Sequence, residues 1–213
     1  MNLQKVGGLA ALYQAAAYIF GFWLFLGYLD PTGYESEVAF LIETQTAQYI
    51  GNIVIYTLFG VFLVVLALAL HERLKAGAEA LMQTATVFGF IWAGLVIATG
   101  MIAVVGADAV INLNATDPDA AGALLQSIST IQEGLGGGVE VVGGIWLLLL
   151  SVAALRGTSL PKSLNYLGIL IGAAGTLTII PPISEVGAAI FGLGQIIWFL
   201  WIGIALLRGP ESS

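Results

Sequence analysis

Apolar residues run along this chain in six blocks, over about 7–28, 47–70, 82–105, 133–155, 164–180 and 185–207. A helix needs about 20 apolar residues to cross a hydrocarbon layer about 30 Å thick, and most of these blocks meet that length. Polar residues gather in the gaps. The pattern predicts an all-α, polytopic membrane protein with six transmembrane helices, forming a single domain over 1–213. Breakers fall where the blocks stop. Asp30-Pro31 closes the first block and Pro181-Pro182 the fifth, because proline cannot continue the helical ladder. Two gap segments carry patterns of their own. Glu35 to Thr46 contains Val38, Ala39, Phe40, Leu41 and Ile42, which predicts a short interfacial helix. Ala120 to Ile131 places Ala121, Leu124, Leu125 and Ile128 at helical spacing, which predicts a second surface helix.

Charge orients the blocks. The chain has six Lys and Arg residues: Lys5, Arg73, Lys75, Arg156, Lys162 and Arg208. With the gaps numbered alternately inside and outside from an inner N-terminus, every one falls inside. By the positive-inside rule both termini are cytoplasmic, in a cell membrane. Of the acids, only Glu72, Glu79 and Glu211 share that side. The rest lie outside or in the outer half of the membrane, where they attract cations. The composition is 59% hydrophobic and 9% charged, against about 25% charged in a soluble domain. There is no basic footprint for nucleic acid. The absence of cysteine excludes thiolate chemistry and Cys-type metal sites. The first block exceeds a signal-peptide core of about 7–15 residues and reads as a membrane helix.

A shift of 52 positions lays Ile145-Trp146-Leu147-Leu148 on Ile197-Trp198-Phe199-Leu200 and Arg156-Gly157 on Arg208-Gly209. The same shift lays Glu133 on Glu185. Blocks four and six run in the same direction, so this would be a parallel relation rather than an inverted one. A duplicated helix and a shared apolar composition both account for it.

Glu140 is the most informative residue for chemistry. A carboxylate at the centre of a span costs about 2.5–3.5 kcal/mol on insertion scales. It therefore faces a cavity, pairs with a donor, or carries a proton. No basic residue exists in the outer half to neutralise it. On a wheel of about 100° per residue, Glu133, Gly137, Glu140, Gly144 and Ser151 share one small, acidic face. Asn52, Glu185 and Gln195 are the other polar residues of that half, with Tyr49 and Tyr56 flanking Asn52. The candidate ligand-binding set is thus Glu140, Glu133, Glu185, Gln195, Asn52 and Tyr56. The glycines at 134, 136, 137, 138, 143 and 144 suit tight helix packing. An unwound segment offering carbonyls would use the same residues. Trp92, Trp146, Trp198 and Trp201 lie within blocks rather than at their ends, which suits either helix packing or an aromatic cavity for a lipid-soluble molecule. His71 is the only histidine and lies beside Glu72 and Arg73, a poor setting for zinc or base catalysis. No block carries a catalytic or metal motif.

Phe88-Gly89-Phe90-Ile91-Trp92-Ala93-Gly94-Leu95, Gly136-Gly137-Gly138-Val139-Glu140-Val141-Val142-Gly143-Gly144 and Leu164-Asn165-Tyr166-Leu167-Gly168 resemble segments of a prokaryotic family. Its members are small six-helix integral membrane proteins of unknown function. The resemblance covers most of the chain from about Ala47 onward. It implies a six-helix fold in a prokaryotic inner or plasma membrane and supplies no activity, cofactor or site residue. Of three function classes left open, an enzyme fits the sequence least, and two others fit it equally. One is a non-enzymatic protein that binds or transports a small ligand or cation through an outward-facing acidic pocket. The other is an accessory or structural subunit of a larger membrane complex that holds a lipid-soluble molecule. The expected partners are the lipid bilayer and a homo-oligomer or larger membrane complex, with no nucleic acid. The cofactor is left open.

Overall fold

The computed structural model describes residues 2–137, 140–157 and 160–209. Glu211, Gly138 and Val139, all named among the sequence features, lie outside the described residues. Eight α-helices form: α1 (Leu3–Phe22), α2 (Glu37–Asn52), α3 (Phe59–Leu74), α4 (Glu79–Asn114), α5 (Pro118–Gln132), α6 (Val141–Arg156), α7 (Lys162–Leu177) and α8 (Ser184–Arg208). They compose six helical rods. A π-helical turn, Trp23–Tyr28, extends α1, and another, Ile53–Leu58, joins α2 to α3 without a break. A third, Glu133–Gly137, comes directly after α5. Five rods are long and apolar enough to cross a membrane. The exception, α7, has 16 residues, about 24 Å at 1.5 Å per residue.

Each rod packs on its neighbour in sequence, and the first closes on the last. The order around the ring is α1, α3, α4, α6, α7, α8 and back to α1. The α6–α7 seam is made by glycines. A Cβ on Gly144 would stand 2.7 Å from Gly172 O and from the Gly175 carbonyl carbon, so only hydrogen lets these backbones meet. Aromatic side chains fill the ring's axis. Trp92 meets Trp146 at 5.4 Å between ring centroids, and Trp146 meets Trp198 edge-on at 5.7 Å. Phe59, Phe191 and Phe199 pack around these tryptophans. Trp146 and Trp198, matched by the 52-residue shift, thus lie at one depth. Their flanks match as well: Leu147, Leu150 and Ala154 are buried like Phe199, Ile202 and Leu206. Trp201 and Trp23 differ, with 37% and 56% of their surface exposed.

One end of the bundle gathers the start of α1, the end of α8 and the basic residues. Gln4 Nε2 donates to Leu206 O at 2.8 Å, tying the start of α1 to the end of α8. The α3–α4 turn touches the α6–α7 turn, since a Cβ on Gly77 would lie 3.3 Å from Gly157 Cα. His71 Nδ1 lies 2.8 Å from Thr86 Oγ1. Thr86 gives its only hydroxyl proton to Met82 O at 2.7 Å, so Nδ1 is the donor to Oγ1. That contact staples α3 to the start of α4.

The opposite end carries a second, smaller core. With 36 residues, α4 is about 54 Å long and outruns a hydrocarbon layer of about 30 Å. Its far turns pack against α2 and α5 through Val38, Leu41, Ala107, Val110 and Ala121. Both sequence-predicted surface segments are helical; Ala120 to Ile131 lies within the surface helix α5, and the first, Glu35 to Thr46, differs in kind from the expectation. From Glu37 onward it belongs to α2, which continues through the Ile53–Leu58 turn into α3 rather than lying apart in the interface. Its N-cap is Ser36, whose Oγ accepts from Ala39 N at 3.1 Å. Likewise α5 starts where Asp117 caps Ala120 N and Pro118 takes the first helical position. No breaker stands between Val105 and Asn114, so α4 continues past the end of its apolar block. At Asp30, Thr32 donates to the carboxylate and holds it below its usual range.

Candidate functional site

The rods are not regular in the bundle's far half. Three π-helical turns meet there. A π turn accommodates an extra residue, which rotates the remainder of the helix by about 100° and leaves a gap in the ladder. From Trp23–Tyr28 come Phe25 and Leu26, from Ile53–Leu58 come Ile55 and Tyr56, and from Glu133–Gly137 comes Gly136. All five line one cavity of about 370 Å³. Tyr18 and Phe22 of α1, Trp92 and Val96 of α4, and Ala188 and Gly192 of α8 complete most of its wall, with Phe59 at the inner end. A smaller cavity of about 200 Å³ shares Trp92, Gly136 and Glu140 with it. Glu140 therefore stands where the two spaces meet.

The backbone explains how a carboxylate reaches this point. Gly136 has φ 126° and ψ 22°, a conformation that glycine adopts without a Cβ penalty. Glu140, at φ −98° and ψ 24°, is also outside the helix and serves as the N-cap residue of α6. Its N–H donates to Thr178 Oγ1 at 2.8 Å, and Thr178 Oγ1 donates to Gly175 O at 2.7 Å. Its carbonyl accepts from Gly144 N at 2.8 Å, starting the α6 ladder. The break is thus held by α7 while its side chain is turned to the cavity. This corrects the helical wheel drawn through Glu133, Gly137, Glu140, Gly144 and Ser151. The helix is interrupted between Gly136 and Glu140, so those residues share no continuous face. The glycine run divides by role. Gly136 breaks the helix and, like Gly134, has open space where a Cβ would go, whereas Gly143 and Gly144 pack. Gly143 abuts Trp92 and Phe191.

Among the described residues, no hydrogen bond or ion pair satisfies the Glu140 carboxylate, nor the hydroxyls of Tyr18 and Tyr56. No lysine, arginine or histidine lines either cavity. No described group of three or more His, Cys, Asp or Glu residues is placed to hold a metal ion. The wall is otherwise aromatic and aliphatic, and Tyr18 packs edge-on against Phe59 at 5.5 Å.

Of the six sequence candidates, the structure brings together Glu140 and Tyr56. Glu133 and Glu185 are exposed. Gln195 is fully buried, with both side-chain polar atoms unmatched by protein among the described residues, and does not line the cavity. Asn52 donates from Nδ2 to Gln48 O at 2.8 Å within its own helix. Tyr49 accepts from Gln45 Nε2 at 2.9 Å and joins the small far-end core. The π turn after Asn52 separates Tyr56 from Tyr49, which regular α-helical spacing cannot anticipate. Sequence reasoning missed Tyr18, Phe22 and Gly192 as cavity residues, whereas Trp92, offered for an aromatic cavity, does line it. Two signals were available: Tyr18, Phe22 and Phe25 recur at helical spacing, and Gly192 is the 52-shift counterpart of Glu140.

Fold and site together define a helical bundle of span-length apolar rods with a partly open, acid-bearing aromatic cavity. The chain belongs to the family of a domain of unknown function (DUF4386), which matches residues 6–205. No curated protein and no solved structure matches it.

Proposed function

We propose that this is a non-enzymatic integral membrane protein that binds a small ligand in the Glu140 cavity, with the carboxylate as the anchoring group. All six rods cross the cell membrane, both termini are cytoplasmic, and the cavity lies toward the outer face. The orientation is supported by the gathering of the basic residues at the terminal end. The single observation that carries the binding reading is a cavity of about 370 Å³ holding a carboxylate with no partner among the described residues. That volume lies in the range of small-molecule sites, which are mostly apolar with a few polar groups to fix orientation. The π turns add support, because such irregularities cost helix regularity and concentrate at functional sites.

Gentle purification into lipid nanodiscs, followed by native mass spectrometry, tests the proposal. The expected result is a small molecule retained by the wild type and lost from Gly192→Leu, which fills the cavity from α8. A stoichiometric protein partner with no bound small molecule would instead support the accessory-subunit reading.

A further inference from the structure

Resting on the binding reading, the geometry points to a ligand class for the cavity: a lipophilic organic cation, a quaternary ammonium or protonated amine with an apolar body. Two features of the wall converge on it. Among the described residues the only acidic or basic side chain there is Glu140, so an anionic ligand would be repelled. Tyr18, Phe22, Phe25, Tyr56, Phe59 and Trp92 surround the same space. Aromatic faces attract cations, tryptophan most strongly, and more so where water is excluded.

A bare inorganic cation does not suit this wall. Calcium takes about 6–8 oxygen ligands and magnesium demands a near-ideal octahedron. The side chains here offer one carboxylate and two phenolic oxygens, and no cluster of metal-ligating residues occurs among the described residues. A neutral lipophile would fill the aromatic space but leave the carboxylate buried beneath it without a partner, which is costly. A cation with an apolar body satisfies both halves of the wall at once.

The test compares phenyltrimethylammonium with tert-butylbenzene, which differ by a charged nitrogen in place of a quaternary carbon. Titrations use the full chain in nanodiscs, with total tryptophan fluorescence, to which the cavity residue Trp92 contributes, as the reporter and protein-free nanodiscs as the blank for lipid partitioning. The cation should bind at least ~30-fold more tightly than its neutral isostere, the combined effect of the carboxylate and the aromatic faces. In Glu140→Gln that preference should fall below ~3-fold, while gel-filtration and thermal-unfolding behaviour stay unchanged. Equal binding of the two probes to the wild type would overturn the cation assignment and leave the ligand-binding cavity standing. A cation preference that survives Glu140→Gln intact would also overturn it, because the carboxylate would not be the anchor. Failure of both probes to saturate would count against the cation class and the cavity reading together.

Discussion

Replacing Gly136 by alanine tests whether a break in the chain, rather than a regular helix, presents Glu140. At φ 126° and ψ 22° a Cβ is strained whatever the space around it, and the space around it is open. The cost is therefore purely conformational, about 1–3 kcal/mol for a non-glycine residue in such a region. Gly134 is the matched control. It lies two residues earlier in the same turn, also has open space at its Cβ position, and has no positive φ. Alanine there should be neutral or stabilising by up to about 1 kcal/mol, the difference in helix propensity. For a chain of this size 1 kcal/mol corresponds to about 2–4 °C in Tm, so Gly136→Ala should melt about 2–12 °C lower than wild type. Gly134→Ala should melt at or slightly above it. Thermal unfolding in one detergent, followed by tryptophan fluorescence, reads both. Equal melting of the two variants would refute the broken-helix account and restore a continuous fourth rod.

Packing and charge give three further expected outcomes. Gly144→Ala drives a Cβ into the α7 backbone at Gly172, Gly175 and Thr176, none of which can rotate away, and should cost about 1–3 kcal/mol by thermal melting. Gly122→Ala, in α5 with open space at its Cβ position, should instead stabilise by up to about 1 kcal/mol in the same assay. Because the chain lacks cysteine, single cysteines at Ser36 and Thr116 should react with an impermeant thiol reagent in intact cells while one at Ala76 should not. Labelling at Ala76 alone would invert the proposed orientation.

The helical rods were legible because apolar length acts locally, although three of them run beyond their apolar blocks. The depth match of Trp146 and Trp198 was legible for a different reason, since a 52-residue shift compares like with like and needs no geometry. What sequence did not reveal is irregularity. A wheel assumes a constant rotation per residue, and the π turns at Trp23–Tyr28, Ile53–Leu58 and Glu133–Gly137 each violate it. That is why Tyr56 reaches the cavity while Asn52 and Tyr49 do not. It is also why Glu133 is exposed although Glu140 is not. Hydropathy likewise marked where α4 could leave a membrane, but not that it continues as a helix to Asn114. That extension depends on the cover provided by α2 and α5, a tertiary contact between segments far apart in sequence. Glu140 stood out because a lone carboxylate in an apolar block is costly wherever it points. The aromatic cage around it is assembled from α1, α3 and α4 as well as the π turns, which no single stretch of sequence displays.

The measurement that bears most directly on Glu140 is paramagnetic accessibility of a spin label. Single cysteines would replace Glu140, which lines the cavity, and Leu193, which is 57% exposed on the outer surface of α8 next to the cavity residue Gly192. The label at position 140 should be relaxed mainly by a water-soluble nickel chelate added from the outer face and only weakly by oxygen dissolved in lipid. The label at position 193 should show the reverse. Oxygen-dominated relaxation at both positions would place Glu140 against lipid and contradict the cavity on which the proposed function rests.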